Sequence, residues 1–356
     1  MRILHVFKDS IIERKHSFVG STKDVRSRTE YFREKGIDVT ELVIEKNRKG
    51  RDLTALDYLK KSDLCSYDAV LFEYLEYPRS LKYLKNKYPR LKLLVRSHNA
   101  EILHSLHYFL ASVKYFRFRF AWRFLKKLIK TVGLDYLCAK YSTAVLTISE
   151  WERLNYWNHL VPSEKVFTVP FFLAKDYLPK NPVVGEKNYA CVCLTSTIDK
   201  LTPLILDALY NYSRAVKSLN GNYDSWKFYI TGDTCDAKLR ANKRLINPRL
   251  SFTGFLKDPI EFLCKSRVMV FLSDYGFGFK TKILEAIMCK CFCLVTPRLH
   301  VRLPDEVKNY CIIVKPGIPG CFEKALKQCN MPFPSGNPNN LLKSKAFSAW
   351  EAIWAL

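Results

Sequence analysis

Two lysines and a glutamate beside a pair of glycines are the residues whose spacing most clearly suggests chemistry. In the stretch GFGFKTKILEAI, Gly276 and Gly278 permit a tight turn, Lys280 and Lys282 follow, and Glu285 lies one helical turn later. The stretch joins a strand-like run to a helix-like run, and helix N-termini bind anions. Two lysines for a diphosphate and a carboxylate for ribose hydroxyls would use all three side chains. An ordinary solvated helix start fits the local pattern equally well.

The elements that must position these residues alternate regularly along the chain. Short runs rich in β-branched and aromatic residues are separated by helix-length amphipathic stretches, which is typical of a parallel sheet covered on both faces. The predicted strands are residues 2–7, 38–44, 68–74, 91–97, 143–149 and 166–171 in the first half, and 189–194, 227–232, 249–254, 268–273, 291–297 and 311–314 in the second. The sequence therefore predicts an α/β protein with two doubly wound, Rossmann-like domains facing a cleft.

The domain boundaries follow from composition. A segment with two prolines, a glycine and mixed charge separates the two series of strands. We expect an N-terminal Rossmann-like domain over 1–174, a linker over 175–188, a second Rossmann-like domain over 189–335, and a C-terminal helix over 336–356 that packs back toward the N-terminal domain. Ligands of such sheets bind beyond the carboxyl ends of the strands, so the site is expected in the cleft.

Composition narrows the class of protein. The 356 residues carry a formal net charge of +24, which favours an anionic partner such as a membrane surface, nucleic acid or phosphorylated ligand. No apolar run is long enough to span a bilayer, and MRILHVFKD at the N-terminus has the pattern of a strand, not of a signal peptide. The twelve cysteines lack paired spacing, so we expect reduced thiols in a cytoplasmic protein. The CKCFC cluster is predicted to pack structurally, with no metal.

A longer segment carries a family resemblance. GFGFKTKILEAIMCKCFCLVTP resembles the nucleotide-sugar-binding segment of GT-B fold glycosyltransferases of family 4, the glycosyl transferases group 1. RSHNAE, TISEWE, FTVPFFL, ITGD and FTGF resemble other segments of that family in the same order. Two departures stand in the specific segment: Lys290 replaces the helix-end glycine, and Phe292 replaces a proline.

The resemblance implies an activity and its residues, with acceptor binding by the domain over 1–174 and nucleotide-sugar binding by the domain over 189–335. Family members transfer a sugar from a nucleotide diphosphate to an acceptor hydroxyl, and retention at the anomeric carbon is expected here. By position, His98 and Glu101 would be catalytic. The donor would be bound by a set of six residues: Lys200, Gly276, Gly278, Lys280, Lys282 and Glu285. Since the sequence has no Asp-x-Asp, we expect lysines and a helix N-terminus, without a metal or other cofactor, to neutralise the leaving group.

A basic aromatic stretch, KYFRFRFAWRFLKKLIK (114–130), suggests membrane contact. At about 100° per residue, one arc of a helix carries Arg119, Arg123, Lys126, Lys127 and Lys130. The aromatic and aliphatic side chains, Trp122 among them, fall on the broad opposite face. Such a helix suits the interface of an anionic membrane, so peripheral attachment is predicted. Packing of the apolar face into the domain, with the basic face in water, is the alternative.

Several functions are compatible with the sequence. The expected partners are a nucleotide-sugar donor, a glycan or lipid-linked acceptor and an anionic membrane surface, with no nucleic acid. A basic nucleic-acid-binding protein is a weaker alternative because no known nucleic-acid motif is present. A sugar-nucleotide epimerase or a catalytically impaired relative of the same fold fits the donor segment as well.

Overall fold

The computed structural model describes residues 1–9, 20–45, 50–179, 187–193, 198–219, 221, 223–232, 245–254, 256, 259–272, 277–318 and 320–356, with the backbone alone at 193 and 198–205. The strands are β1 Arg2–Lys8, β2 Asp38–Ile44, β3 Ala69–Glu73, β4 Lys92–Arg96, β5 Ala144–Thr147, β6 Val166–Thr168, β7 Tyr189–Cys193, β8 Lys227–Thr231, β9 Leu250–Gly254, β10 Ser266–Phe271, β11 Phe292–Val295 and β12 Cys311–Ile313. Each of the predicted strands is confirmed.

Helices alternate with these strands. They are α1 Gly20–Glu34, α2 Arg51–Lys61, α3 Pro78–Lys87, α4 Glu101–Lys114, α5 Phe118–Tyr141, α6 Glu150–Asn155, α7 Ile198–Ser218, α8 Pro259–Lys265, α9 Thr281–Met288, α10 Pro297–Val301, α11 Asp305–Lys308, α12 Cys321–Gln328 and α13 Pro338–Trp354. The inner strands are largely buried because helices cover both sheet faces, whereas edge strands such as β2 and β12 are partly exposed.

The first sheet has the strand order β2-β1-β3-β4-β5-β6, and its pairs are parallel. The order reverses direction between β1 and β3, so the loops after these two strands leave toward opposite sides. Open α/β sheets bind ligands at this reversal, beyond the carboxyl ends of the strands. The residues that end β1, β3 and β4 are therefore the ones that matter for function.

The second sheet has the order β12-β11-β10-β7-β8-β9, again with parallel pairs. Counted within its own half, this is the doubly wound Rossmann order. The reversal lies between β7 and β10. Helices α7 and α9 follow these two strands, so both begin at the reversal.

The chain divides into two compact units. One consists of Met1–Asp176, Gly276–Thr281 and Asn339–Leu356, and the other of Tyr177–Tyr275 and Lys282–Pro338. In the first unit, the C-terminal helix α13 buries Trp350 against Tyr31, with ring centroids 5.6 Å apart, and Lys343 Nζ pairs with Glu30 at 2.7 Å. This packing places the chain's last helix against α1.

The basic aromatic stretch is two helices, not one. Helix α4 ends at Lys114 and α5 begins at Phe118, so the expectation of a continuous helix over 114–130 was wrong. Phe116 has a φ of 53°, and the N–H groups of Phe116 and Arg117 donate to Val113 O and Ser112 O. These are the two bonds of a left-handed helix stop, which is usually made by glycine. Because a phenylalanine makes it here, no glycine in the sequence marks the break.

Candidate functional site

A buried ion network occupies the carboxyl edge of the first sheet, and Glu73 is its centre. The Oε1 atom of Glu73 accepts from Arg28 Nε at 2.9 Å and lies 2.7 Å from His5 Nε2. Its Oε2 accepts from an Arg28 terminal nitrogen at 2.5 Å and lies 2.8 Å from His98 Nε2. All four side chains are nearly or fully buried, and they come from β1, α1, β3 and the loop after β4.

A second carboxylate, Asp24 of α1, completes this network. Arg96 donates to both Asp24 oxygens, at 3.0 and 2.9 Å, and also to the carbonyl oxygens of Thr147 and Val169. Arg28 bridges the two carboxylates, since one of its nitrogens lies 2.7 Å from Asp24 Oδ2. Two carboxylates and two guanidinium groups balance in charge, which is what permits their burial.

The pKa values follow from this balance. Burial raises the pKa of Asp24, but Arg28 and Arg96 lower it more, to about 2. Burial likewise opposes ionisation of Glu73, yet Arg28 and the hydrogen bonds with His5 and His98 bring its pKa well below the usual range. Burial lowers the pKa of His98, and the attraction of Glu73 does not fully offset it. Both carboxylates are therefore ionised at neutral pH.

His98 lies at this edge, but its ring nitrogens face inward. Nε2 lies 2.8 Å from Glu73 and Nδ1 lies 3.4 Å from Asp24 Oδ2. The ring also stacks on Tyr74, with centroids 4.1 Å apart. The geometry gives His98 a role in positioning its loop, because both nitrogens already face carboxylates within the protein.

The Asp24, Glu73 and His98 atoms that could ligate a metal lie within 4.8 Å of one another. Arg28 and Arg96 already bind both carboxylates of this cluster. The cluster therefore fits an ion-pair network better than a metal site.

The turn after β10 packs directly on the loop that carries His98. A Cβ atom added at Gly278 would overlap Asn99 Oδ1 and lie 2.5 Å from His98 O, so only glycine fits here. On one side of it, Phe277 packs against the rings of His107 and Trp151, and on the other side Phe279 packs against Phe171. The turn is thus held in place by its own aromatic neighbours.

Gly20 packs closely on Thr281, the residue that ends this turn. A Cβ atom added at Gly20, the first residue of α1, would lie 2.9 Å from Thr281 Oγ1, in the first residue of α9. A helix N-terminus carries free N–H groups and a partial positive charge, so the starts of α1 and α9 are each suited to an anion.

The predicted donor-binding residues lie in the turn before α9 and in the first parts of α7 and α9. Lys280 immediately precedes α9, while Lys282 and the buried Glu285 lie within it. Lys200 is in the first turn of α7, which also begins at the strand reversal, but its side chain lies outside the described residues. Gly276 likewise lies outside the described residues.

A cavity of about 860 Å³ lies over the strand reversal of the first sheet. Its wall includes Lys8, Tyr74, His98 and Asn99, which end or follow β1, β3 and β4. The starts of α2 and α3 and one side of α5 complete it. Because His98 and Asn99 also contact Gly278, the cavity and the turn share a wall.

Glu101 lies in the cavity wall as part of a polar cluster. Its Oε2 accepts from Lys127 Nζ at 2.9 Å and its Oε1 from Asn99 Nδ2 at 3.1 Å. Nearby, Asp135 accepts from Tyr156 Oη, and burial raises the pKa of Asp135 to about 7. Asp135 carries no signal in the sequence, because one aspartate within an amphipathic helix resembles ordinary surface charge.

The two departures from the family segment have local explanations. Lys290 has a φ of 55°, and the N–H groups of Lys290 and Cys291 donate to Ile287 O and Ala286 O, so it closes α9 in the conformation that glycine would adopt. Phe292 is buried against Phe333, with centroids 5.1 Å apart. Both lie at the end of α9 opposite its N-terminus.

The predicted membrane-binding residues all lie on α5. Trp122, Arg119, Arg123, Lys126 and Lys130 are exposed, and Lys126 Nζ lies 5.2 Å from the centre of the Trp122 ring. Lys127 differs from them because it is bound to Glu101. Among the described residues, no helix combines the length and apolarity needed to cross a bilayer.

The second half of the chain matches a known protein family. Residues 204–329 match the family model described as Glycosyl transferases group 1. The resemblance is confirmed in the second half of the chain. A comparison with curated protein sequences gives no match.

Solved structures share the fold over the whole chain. HepE from Anabaena, solved with UDP and glucose, is 12% identical with a TM-score of 0.64 and covers 100% of both chains. The lipopolysaccharide outer core galactosyltransferase WaaB is 13% identical with a TM-score of 0.61 and covers 99% of both. A UDP-GlcNAc 2-epimerase from Methanocaldococcus jannaschii is 12% identical with a TM-score of 0.62, again with 99% of both chains covered. The predicted fold class is thereby confirmed as that of GT-B glycosyltransferase structures.

Proposed function

We propose that this protein is a glycosyltransferase that moves a sugar from a nucleotide diphosphate to a hydroxyl of a glycan or lipid-linked acceptor. The observation that carries the proposal is the turn before α9, in which Gly278 packs on His98 and Asn99 and Thr281 packs on Gly20. Lys280 lies in this turn and Lys282 lies in the first turn of α9. As the glycosidic bond breaks, negative charge develops on the leaving diphosphate. Fixed N–H groups, helix dipoles and lysines stabilise that charge without reorganising.

The rest of the proposed site follows the same logic. Glu285, buried one turn into α9, binds the ribose hydroxyls of the donor. Glu101 contacts the acceptor from the cavity wall, and His98 positions the loop on which Gly278 packs. Cations of the protein replace a metal in this account, and the reaction proceeds with retention. Activity that persists in EDTA tests the first statement, and the anomeric configuration of the product tests the second.

The family departures do not weaken the proposal. Lys290 keeps the glycine-like backbone and Phe292 fills a core position, both at the far end of α9. An eight-residue helix is about 12 Å long, so neither side chain approaches the N-terminus. A catalytically impaired protein is therefore the weaker alternative.

A nucleotide-binding measurement tests the donor site. UDP is the first ligand to try, since HepE was solved with UDP and with UDP-glucose, followed by GDP and ADP. Ligand at 100 times its dissociation constant should stabilise the fold by about 2.7 kcal/mol. We expect Lys282→Ala to lose this stabilisation and Lys324→Ala, an exposed lysine on α12, to keep it. A nucleotide that stabilises both variants equally would contradict the assignment.

We also propose that the protein is cytoplasmic and attaches to an anionic membrane through α4 and α5. Large apolar side chains are exposed there, including Phe116 at 80%, Ile129 at 67%, Phe118 at 66% and Trp122 at 60%. With about 100° per residue, Phe118 and Ile129 lie on one flank of Trp122, and the basic residues lie on the other. A helix with rings and cations on adjoining flanks suits the headgroup region.

Vesicle sedimentation tests this attachment. At low salt the protein should bind phosphatidylglycerol-containing vesicles and not pure phosphatidylcholine vesicles. Changing Arg119, Arg123 and Lys126 together to Gln should weaken binding by about 3 kcal/mol, at about 1 kcal/mol for each cation. Changing Lys60, Lys61 and Lys82 instead, which are exposed elsewhere on the first unit, should leave binding unchanged. Equal binding to both vesicle types would contradict the proposal.

A further inference from the structure

The cavity over the first sheet holds more cations than its own carboxylates neutralise. Glu76 lies 3.8 Å from Lys8 and 3.5 Å from Arg51, and Glu101 pairs with Lys127. Three of the five basic side chains in the wall, Lys8, Arg51 and Lys127, are therefore paired with carboxylates. Two others, Arg79 and Lys130, have no acidic partner among the residues that the structure describes.

The remaining carboxyl groups of the wall are not available to these two cations. Asp52 accepts from the backbone N–H groups of Arg79 and Ser80, at 2.9 and 3.0 Å, and so caps the start of α3. Asp135 is bound to Tyr156, and its pKa near 7 leaves it largely protonated in slightly acidic conditions. The cavity wall is thus rich in cations, and its carboxyl groups are already bound to other groups of the protein.

The position of Lys130 connects the cavity with the surface of α5. On the helix it lies on the same flank as Arg119, Arg123 and Lys126, yet its side chain lines the cavity. The neighbouring cations continue outward to the exposed aromatic face. An anionic ligand held at a membrane surface would therefore pass from the outer cations to Lys130 and then to Arg79.

We infer that this cavity binds the phosphate group of a lipid-linked acceptor, with Arg79 and Lys130 as the residues that select it. The inference rests on the proposed function and gives its acceptor a chemical class: an alkyl or prenyl phosphate or diphosphate that carries the accepting hydroxyl. Arginine supplies paired donors to phosphate oxygens and lysine supplies a point charge. Glu101, in the same wall, faces the hydroxyl-bearing part of the ligand.

Direct binding of simple probes tests the inference without turnover. Titration calorimetry would compare n-octyl phosphate with n-octanol, both below their micelle or solubility limits. We expect the phosphate to bind at least about tenfold more tightly, because a hydrogen bond to a charged group contributes about that factor. The double variant Arg79→Gln/Lys130→Gln should lose that preference. Lys140→Gln, an exposed lysine on α5 outside the cavity, should keep it.

Two further arms separate the possible outcomes. With the donor site saturated by the nucleotide that binds there, inorganic pyrophosphate that binds as tightly as octyl phosphate would show a site for a free anion and would overturn the lipid-linked acceptor. Equal binding of octyl phosphate by wild type and the double variant would overturn the assignment of the residues. A cooperative thermal unfolding transition of the same samples shows that the variants are folded. Failure of the wild type to bind UDP, GDP and ADP would refute the proposed function and not the phosphate site.

Discussion

The polar groups at the carboxyl edges of the two sheets come from different parts of the structure. In the first unit, the strands themselves supply charge, because His5, Glu73 and Arg96 lie within β1, β3 and β4 and interlock with α1. In the second unit, β10 and β11 end in the apolar residues Phe271 and Val295, and the starts of α7 and α9 supply backbone N–H groups. The first edge is fixed by side chains, and the second depends on backbone N–H groups.

This difference predicts how each edge responds to substitution. Removing one member of a network of buried charges strongly destabilises the fold, because the partner charges remain buried without compensation. A helix N-terminus keeps its N–H groups whatever the side chains are, but it depends on close backbone approach. The first edge should therefore be sensitive to charge, and the second to added volume.

The largest effect is expected at the first edge. Glu73→Gln removes a charge that Arg28, His5 and His98 share, and should lower the free energy of unfolding by about 3 kcal/mol. Urea denaturation measures this, with Glu41→Gln on the exposed face of β2 as the control. A loss no larger than that of the control would mean that the network is not a stabilising unit.

A larger side chain in the turn after β10 should disrupt the packing of that turn and reduce activity. Gly278→Ala forces the turn away from His98 and Asn99, and a displacement of about 1 Å in an active site costs on the order of 100-fold in activity. Gly317→Ala is the matched control, because nothing lies within 4 Å of the added atom. The measurement is the rate of sugar transfer, and equal rates for the two variants would contradict the proposed role of the turn.

A buried carboxyl beside the first edge gives a pH-dependent prediction. Glu152 is fully buried, and burial raises the pKa of its carboxyl from 4.5 to about 8, although Arg96 and a hydrogen bond with the backbone of Ile148 lower it. The folded protein keeps this proton where the unfolded chain has released it, so stability falls as pH rises from 4.5 to about 8.

The variant Glu152→Gln removes that dependence. The free energy of unfolding of this variant minus that of wild type should increase by on the order of 2 kcal/mol from pH 5 to pH 8.5, allowing for relaxation of the site. Urea denaturation at the two pH values gives the difference. A difference between the two proteins that does not change with pH would show that Glu152 ionises freely in the folded state.

The smallest effect concerns the far end of α9. Lys290→Gly relieves a left-handed backbone conformation and should stabilise the protein by about 1 kcal/mol, partly offset by the greater freedom of glycine in the unfolded chain. Nucleotide binding should not change, since the N-terminus is untouched. A destabilised variant would mean that the Lys290 side chain makes a contact that outweighs the strain.

The sequence predicted the strands because their buried faces demand apolar residues, and it predicted the turn at Gly278 because glycine and helix-start residues are local signals. The helix stop at Phe116 was missed, since its geometry is usually made by glycine. The ion network was missed for another reason: Asp24, Glu73 and Arg96 are distant along the chain. Its only sequence signal is a charged residue at the end of each apolar strand, in AVLFE and KLLVR.

The central claim is that the protein transfers a sugar, and radiolabelled donor tests it most directly. Nucleotide sugars labelled in the sugar, beginning with UDP-glucose and UDP-galactose, would be incubated with the protein and a lipid extract. We predict label in the lipid or glycan fraction with release of the nucleoside diphosphate, lost in Lys282→Ala and retained in Lys324→Ala. Label that stays on the nucleotide with an altered sugar would indicate an epimerase and would contradict the account, as would the absence of any nucleotide binding.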